Sequence, residues 1–135
     1  MAQPGRTETL PVRTQEDVVL VRQRVRALTT EEGFKLVDQT KIVTAASELA
    51  RNTFIYGGGG TARLETIESN GRRGVRVAFE DHGPGIADLD LAMKDGYTTG
   101  GGLGLGLSGA KRLCNEFEIH SKPGEGTWVA ITRWK

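Results

Sequence analysis

The stretch GYTTGGGLGLGLSGAKRL, residues 96–113, constrains the fold more than any other part of the sequence. It places seven glycines between Gly96 and Gly109 and then continues as a helix-forming segment. Glycine adopts backbone conformations that other residues avoid, and it lets another molecule approach the main chain closely. Backbone N–H groups at the start of a helix attract phosphate oxygens. We therefore expect a phosphate-binding loop that leads into a helix, rather than a linker.

Two better-known phosphate motifs are excluded. Gly104, Gly106 and Gly109 match the G-x-G-x-x-G pattern of dinucleotide-binding proteins. That pattern needs a strand directly before it and an acidic residue about 20 positions later at a strand end. The flanking sequences KDGYTTGGG and TWVAITRWK supply neither. The Walker pattern is also absent, because Ala110 separates Gly109 from Lys111.

The composition indicates a soluble protein that recognises its partners through local features. The chain has 135 residues, 18 Lys and Arg against 17 Asp and Glu, and a formal net charge of +1. This balance argues against a nucleic-acid or membrane partner. The single cysteine, Cys114, excludes an internal disulfide and fits a reducing compartment. We expect one domain over residues 1–135, no apolar leader and a cytoplasmic location.

The hydrophobic periodicity predicts a strand, two helices, a hairpin, the glycine-rich loop, a helix and a final hairpin. Neighbouring hairpins favour a mixed, mostly antiparallel sheet with helices on one face. The predicted segments are a strand at TETLPV, a helix from the capping residue Thr14 to Gly33, a helix over 36–56, a hairpin over 61–81 with its turn at NGRRG, a helix over 105–117, and a hairpin over 118–135 folded at 123–126.

Glu48 and Asn52 form the first candidate site. They are four residues apart on a predicted helix, so both side chains project from one face. An amide oxygen suits Mg²⁺, which takes few protein ligands and keeps most of its waters. A carboxylate beside it can accept a proton from a hydroxyl nucleophile. Taken alone, the same pair also fits a solvated helix face.

The segment EDHGPGI, residues 80–86, forms the second candidate site. Asp81 ends an apolar strand and stands beside Gly83 and Gly85, where another molecule can approach the backbone. A fixed carboxylate in that position can accept a hydrogen bond from an exocyclic amine. Taken alone, the same residues also fit an ordinary turn after a strand.

Four motifs together resemble the nucleotide-binding motifs of the GHKL ATPase and kinase superfamily. These are ELARN, DHGPGI, GLGLGL and GEGTWVAI, in this order and at these separations, over about residues 36–133. The resemblance implies the Bergerat fold, a two-layer α/β sandwich in which ATP lies under a mobile lid. It also implies ATP and Mg²⁺ as the cofactors.

The resemblance implies roles for individual residues. Glu48 is expected to be the general base, Asn52 the Mg²⁺ ligand and Asp81 the acceptor for the adenine amine, while Thr127 completes the adenine pocket. Residues 95–107 are expected to form the lid and phosphate loop. The other candidate nucleotide-binding residues are Gly83, Gly85, Ile86, Thr98, Thr99, Gly101, Gly102, Leu103, Gly104, Leu105, Gly106 and Leu107.

Within the superfamily, the segments SELARNTFIYGGGG and LAMKDGYTTGGGLGLGLSGAKRLCNEFEI are most similar to RsbT-type serine kinases of partner-switching systems. Arg51 differs from the small or polar residue that tends to precede this asparagine in anti-sigma factors. His82 lies in the adenine motif and His120 in a predicted strand, so neither indicates the phosphoacceptor of a sensor histidine kinase. The chain is therefore identified as a member of the serine-kinase branch.

This branch implies a serine/threonine kinase that transfers the ATP γ-phosphate to STAS-domain antagonist and scaffold proteins of the stressosome, which resemble RsbS and RsbR. The released kinase is expected to activate a PP2C-type phosphatase that resembles RsbU. One alternative is an anti-sigma factor of the same fold that sequesters a sigma factor. A second is a nucleotide-binding domain without transfer activity.

Overall fold

The computed structural model describes residues 3–88, 92–93 and 106–135. The elements in these ranges follow the predicted order. They are β1 (Gln3–Val12), α1 (Gln15–Glu31), α2 (Leu36–Ile55), β2 (Gly60–Ser69), β3 (Arg72–Asp81), α3 (Gly106–Leu113), β4 (Glu116–Lys122) and β5 (Gly126–Trp134).

The strands form one sheet in the order β1-β2-β3-β5-β4, and each neighbouring pair is antiparallel. This confirms the predicted α/β sandwich, although the described strands form a wholly antiparallel sheet rather than a mixed one. Dinucleotide-binding folds need parallel strands joined by a helical crossover, and the described strands contain no parallel pair. Asp81 pairs with Gly60 on one side and Thr127 on the other, so β3 ends between two neighbours.

The core lies between the helices and one face of the sheet. Val77 and Phe79 of β3 are buried in the same cluster as Val25 of α1 and Ala46 and Ala50 of α2. Fully burying a Val or Phe side chain contributes about 1.5–3 kcal/mol. The apolar face of α2 therefore holds the helix to the sheet.

The start of α1 confirms the predicted cap. The Thr14 hydroxyl accepts a hydrogen bond from the Asp17 N–H at 3.1 Å, and the Asp17 carboxylate accepts one from the Arg13 N–H at 2.9 Å. These bonds satisfy backbone donors near the first turn that have no intrahelical partner. The entry of the chain from β1 into the helical layer is thereby fixed.

The predicted helix over 105–117 is wrong at its C-terminal end. The helix α3 ends at Leu113, and the Asn115 N–H donates to the Thr132 carbonyl at 2.9 Å. The Asn115 side-chain oxygen accepts from the Trp134 N–H at 2.7 Å. Pairing with β5 therefore begins before Glu116, and tertiary pairing overrides the local preference for helix.

The first hairpin is tighter than the sequence suggests. Only Asn70 and Gly71 form its turn, with φ angles of 53° and 81°. Two central residues with positive φ are typical of a type I′ turn, which matches the twist of the flanking strands. The predicted five-residue turn NGRRG is therefore too long, because β3 already begins at Arg72.

Within the described ranges, each helix is too short or too polar to cross a lipid bilayer.

Candidate active site

A cavity of about 520 Å³ opens between α2, the start of α3 and the ends of β3 and β5. This volume lies within the usual range for small-molecule sites, about 300–1,000 Å³. Eight residues predicted from the sequence line it: Glu48, Asn52, Asp81, Gly85, Ile86, Gly106, Leu107 and Thr127.

Some predicted residues do not line this cavity. Gly83 packs instead against Gly57, where a Cβ atom on Gly83 would lie 2.6 Å from the Gly57 carbonyl oxygen. Gly83 therefore lets α2 end close to the loop after β3, rather than lining the cavity. The predicted residues Thr98, Thr99, Gly101, Gly102, Leu103, Gly104 and Leu105 lie outside the described residues.

The helix α2 presents a polar row to the cavity. Glu48, Asn52 and Tyr56 follow one another at intervals of four residues, and all three line the cavity. Glu48 is only 8% exposed, which excludes the solvated-face interpretation for this residue. No residue in the described part of the chain donates a hydrogen bond to its carboxylate. A buried carboxylate without a protein donor is available to a ligand.

Tyr56 is a site residue that the sequence analysis missed. Its hydroxyl oxygen is buried and has no hydrogen-bond partner among the described residues. The four-residue interval from Glu48 through Asn52 extends to Tyr56, so helical periodicity was the available signal. A buried hydroxyl that lines a cavity is most readily satisfied by water or by a ligand.

At the other end of the cavity, Asp81 is held in a fixed orientation. Its side chain is 8% exposed, and Oδ1 accepts a hydrogen bond from the Gly83 N–H at 2.9 Å. No described residue donates to Oδ2. A Cβ atom on Gly57 would overlap the Asp81 carboxyl group, so the end of α2 packs directly against it. Asp81 thus presents one hydrogen-bond acceptor at a defined position.

The loop after Asp81 is joined to the hairpin of β4 and β5. The Gly124 N–H donates to the Pro84 carbonyl at 2.7 Å, and the Ile86 N–H donates to the Ser121 hydroxyl at 2.8 Å. Ser121 Oγ also lies 2.8 Å from Thr127 Oγ1. The sequence analysis missed Ser121, because this link depends on the register of β4 against β5.

Two glycines make this close packing possible. Gly85 and Gly126 have φ angles of 73° and 88°, in the left-handed region that favours glycine. A Cβ atom on Gly85 would overlap the Lys122 carbonyl oxygen, and one on Gly126 would overlap the Asp81 carbonyl oxygen. The loop after Asp81, β4 and β5 therefore pack backbone against backbone at this end of the cavity.

The Asn52 amide oxygen suits a magnesium ion bound mainly through a nucleotide. It lines the cavity one helical turn from the Glu48 carboxylate. Mg²⁺ takes few protein oxygen ligands and is otherwise held by substrate phosphates and water. Among the described residues, no cluster of three or more His, Cys, Asp or Glu side chains forms a metal site of protein ligands alone.

Residues 37–134 match the family of histidine kinase-, DNA gyrase B- and HSP90-like ATPases. The match includes most of α2, the loop after Asp81 and the final hairpin, which are the parts that build the cavity. The chain belongs to this ATPase family. The GHKL membership expected from the sequence is thereby confirmed, and ATP is the nucleotide that the family implies.

The chain is also similar to individual members. It is 46% identical over 123 residues to the serine/threonine-protein kinase RsbT of Bacillus subtilis, covering 91% of this chain and 92% of that protein. It is 32% identical over 98 residues to the anti-sigma F factor of Thermoanaerobacter sp. (strain X514), covering 69% and 68% of the two chains. The similarity to RsbT confirms the expected class, an ATP-dependent serine/threonine kinase.

A solved structure supports the fold. The crystal structure of the RsbU and RsbW domains of a Mycobacterium tuberculosis protein matches with a TM-score of 0.67 and 22% sequence identity. The match covers 98% of this chain but 34% of that longer chain. The similarity confirms the α/β sandwich expected from the sequence.

Proposed function

We propose that this chain is the switch kinase of a partner-switching stress response. It transfers the γ-phosphoryl group of ATP to a serine or threonine hydroxyl on a STAS-domain protein. The observation that carries this proposal is the Glu48 carboxylate, buried without a described hydrogen-bond donor on the wall of a cavity that Asn52 also lines. The 46% identity to RsbT supports the choice of acceptor class.

The proposed orientation of ATP follows from the two ends of the cavity. Asp81 presents its free acceptor oxygen to the adenine amine, and Thr127, its partner across β3 and β5, completes the base pocket. Asp81 packs against Gly57, which directly follows Tyr56 at the C-terminal end of α2. Glu48 lies eight residues before Tyr56, about 12 Å along the helix axis at 1.5 Å per residue. A base bound at Asp81 therefore directs the phosphates along α2 toward Glu48.

In the proposed reaction, the protein positions the reactants and stabilises charge rather than forming a covalent intermediate. Glu48 orients the acceptor hydroxyl and takes its proton as the phosphoryl group is transferred. Asn52 holds Mg²⁺, which neutralises phosphate charge when bound. The N-terminus of α3 at Gly106 faces the cavity, where its backbone N–H groups favour an anion.

The segment 95–107 is proposed to be the lid and phosphate loop. Its glycines permit the backbone to close over ATP and to reopen for release. Thr98, Thr99, Gly101, Gly102, Leu103, Gly104 and Leu105 contribute to this loop in the proposal, together with Gly106 and Leu107 at the start of α3.

The proposed partners are STAS-domain antagonist and scaffold proteins of a stressosome, similar to RsbS and RsbR. Phosphorylation of the antagonist releases the kinase, which then binds and activates a PP2C-type phosphatase similar to RsbU. The proposed site of action is the cytoplasm. The similarity to RsbT and to an anti-sigma F factor supports partner switching in general terms.

Transfer of labelled phosphate tests the proposal. The purified chain is incubated with γ-³²P-ATP, Mg²⁺ and each of several STAS-domain proteins, and the modified residue is mapped by mass spectrometry. The proposal predicts label on one serine or threonine of a STAS protein. Absence of label on every STAS protein, with ATP still bound, would contradict the proposed acceptor.

The second candidate is an anti-sigma factor, which the 32% identity to an anti-sigma F factor favours. Its principal activity would be to sequester a sigma factor. A pulldown with the tagged chain distinguishes the two functions, using a sigma factor and a PP2C-type phosphatase at equal concentrations. Retention of the phosphatase alone supports the switch kinase, and retention of the sigma factor alone supports the alternative.

Asn52→Ala tests the proposed Mg²⁺ ligand. Asn52 lines the cavity one helical turn from Glu48, so its loss is expected to remove the part of ATP affinity that depends on Mg²⁺. We predict that ATP titrations by calorimetry differ between Asn52→Ala and the unsubstituted chain in MgCl₂ but coincide in EDTA. An identical affinity in MgCl₂ would remove Asn52 from this role.

A further inference from the structure

Arg51 lines the cavity beside the proposed base Glu48 and the proposed Mg²⁺ ligand Asn52. It lies on α2 directly before Asn52 and three residues after Glu48, and it lines the cavity. Its side chain is half-buried. Residues three apart on a helix lie on neighbouring parts of its surface. Arg51 is therefore a neighbour of Glu48 on the surface of α2.

Arg51 differs from the other half-buried arginines in the described ranges. Arg24 forms an ion pair with a carboxylate at 3.1 Å, and Arg133 forms one with another carboxylate at 2.6 Å. Arg76 lies 3.9 Å from one carboxylate and 4.0 Å from a second. No residue in the described part of the chain forms an ion pair or hydrogen bond with the Arg51 side chain. The N–H donors of a half-buried guanidinium without a described protein anion are available to an anionic ligand.

The charges around the cavity point to the same conclusion. The described lining residues include three carboxylates, Glu48, Asp81 and Asp88, but Arg51 is the only cationic residue among them. ATP carries several negative charges, and its phosphates need neutralising where transfer takes place. The base-binding group Asp81 lies beside Gly57 at the C-terminal end of α2. Arg51 lies on the side toward Glu48, where the terminal phosphate is expected.

We infer that the Arg51 guanidinium binds the γ-phosphate of ATP and so distinguishes ATP from ADP, an inference that rests on the proposed function. Arginine suits this role because its planar fork of N–H donors matches two phosphate oxygens at once. ADP has no γ-phosphate and leaves this interaction unmade.

The inference is tested by nucleotide affinity in the absence of any acceptor protein. Calorimetry measures the dissociation constants of ADP and of a non-hydrolysable ATP analogue, in MgCl₂, for the unsubstituted chain, Arg51→Ala and Arg51→Lys. For Arg51→Ala we expect affinity for the ATP analogue to fall about 10- to 100-fold, the usual effect of a hydrogen bond to a charged group. ADP affinity should change less than about threefold. Arg51→Lys should lie between, because it keeps the charge but loses the fork.

Arg22→Ala is the matched control. Arg22 is an exposed arginine on α1, so this variant makes the same change in charge and helix propensity away from the cavity. It should leave both affinities unchanged. Retained ADP binding by Arg51→Ala also shows that the variant is folded.

Two outcomes overturn the inference in different ways. Equal losses of ADP and ATP-analogue affinity in Arg51→Ala, or no loss of either, would contradict γ-phosphate binding while leaving the kinase proposal intact. Failure of the unsubstituted chain to bind either nucleotide would overturn this inference and the proposed function together. Failure to phosphorylate a STAS protein would affect only the acceptor, because the affinity ratio is measured without one.

Discussion

The two ends of the cavity are built in different ways. At the proposed base end, Asp81, Gly85 and Thr127 are fixed by hydrogen bonds and by backbone contacts that leave no room for a Cβ atom. At the proposed phosphate end, Glu48 and Arg51 have no ion-pair or hydrogen-bond partner among the described residues. Protein contacts fix the groups of one end, whereas the charged groups of the other end have no partner among the described residues.

This difference indicates a division of labour. A pocket with fixed donors and acceptors selects its ligand through shape and hydrogen bonding. Its side chains and loops lose little conformational entropy when the ligand binds. Charged groups without protein partners are available to the reacting atoms, where interactions that strengthen in the transition state increase the rate. Asp81 and Thr127 at the base end are therefore expected to set the affinity for the base, and Glu48 at the phosphate end to set the rate of transfer.

The largest expected effect comes from Glu48→Gln. The amide keeps the size of the side chain but cannot accept the hydroxyl proton, so transfer should fall by about 10²–10⁴-fold. ATP affinity should be retained, because no binding role is assigned to the carboxylate. Transfer of ³²P from labelled ATP measures the loss of rate, and calorimetry measures the ATP affinity. Glu16→Gln, at an exposed position of α1, is the control, and full activity of Glu48→Gln would exclude Glu48 as the base.

Gly85→Ala tests whether the base end depends on close backbone packing. Its matched control is Gly124→Ala, because Gly124 has a φ of 79°, similar to the 73° of Gly85, yet no atom lies within 4 Å of its Cβ position. Both variants carry the strain of a left-handed alanine, about 1–2 kcal/mol. Only Gly85→Ala also displaces the Lys122 carbonyl, so thermal unfolding should show a larger loss of stability and calorimetry a weaker ATP affinity. Equal effects in both variants would contradict this prediction.

Asp81→Asn tests how the base is recognised. The asparagine oxygen can still accept from the Gly83 N–H, which donates to Asp81 Oδ1 at 2.9 Å. The new NH₂ group then replaces the free acceptor with a donor that opposes the adenine amine. We expect ATP affinity to fall by about 10- to 100-fold and affinity for ITP, which carries an oxygen at that position, to rise. An unchanged preference for ATP over ITP would show that Asp81 does not contact the base.

The smallest effect on the cavity is expected from Asp38→Asn, because Asp38 is not among the described residues that line it. The hydrogen bond from Arg133, at 2.6 Å, lowers the pKa of the Asp38 carboxyl. A folded-state pKa below the unfolded value adds stability above the unfolded pKa, about 3.9, and this stability is lost as pH falls through the folded pKa. Urea unfolding should therefore show Asp38→Asn to be less stable at pH 7, with the difference shrinking as the pH falls below the unfolded pKa and through the lowered folded pKa. ATP affinity should stay unchanged, and a difference in stability that is independent of pH would contradict the ion pair.

The sequence predicted those features that depend on local pattern. Helical spacing placed Glu48 and Asn52 on one face, and the alternation in VRVAFED placed Asp81 at a strand end. The link from Ser121 to Ile86 was not predictable in this way, because it depends on strand register between segments 35 residues apart. The predicted C-terminal end of α3 was wrong for the same reason, since Asn115 pairs with β5 instead of extending the helix. The buried hydroxyl of Tyr56 also required the tertiary structure.

The most direct test compares Glu48→Gln and Asp81→Asn in one experiment. The rate of phosphate transfer to a STAS-domain protein at saturating ATP and the dissociation constant of ATP are measured for both variants and the unsubstituted chain. A change that weakens substrate binding alone raises KM and leaves kcat unchanged. We predict that Glu48→Gln loses the saturated rate but keeps its affinity for ATP, whereas Asp81→Asn loses affinity for ATP but keeps the saturated rate. Parallel loss of rate and affinity in both variants would contradict the division between the two ends.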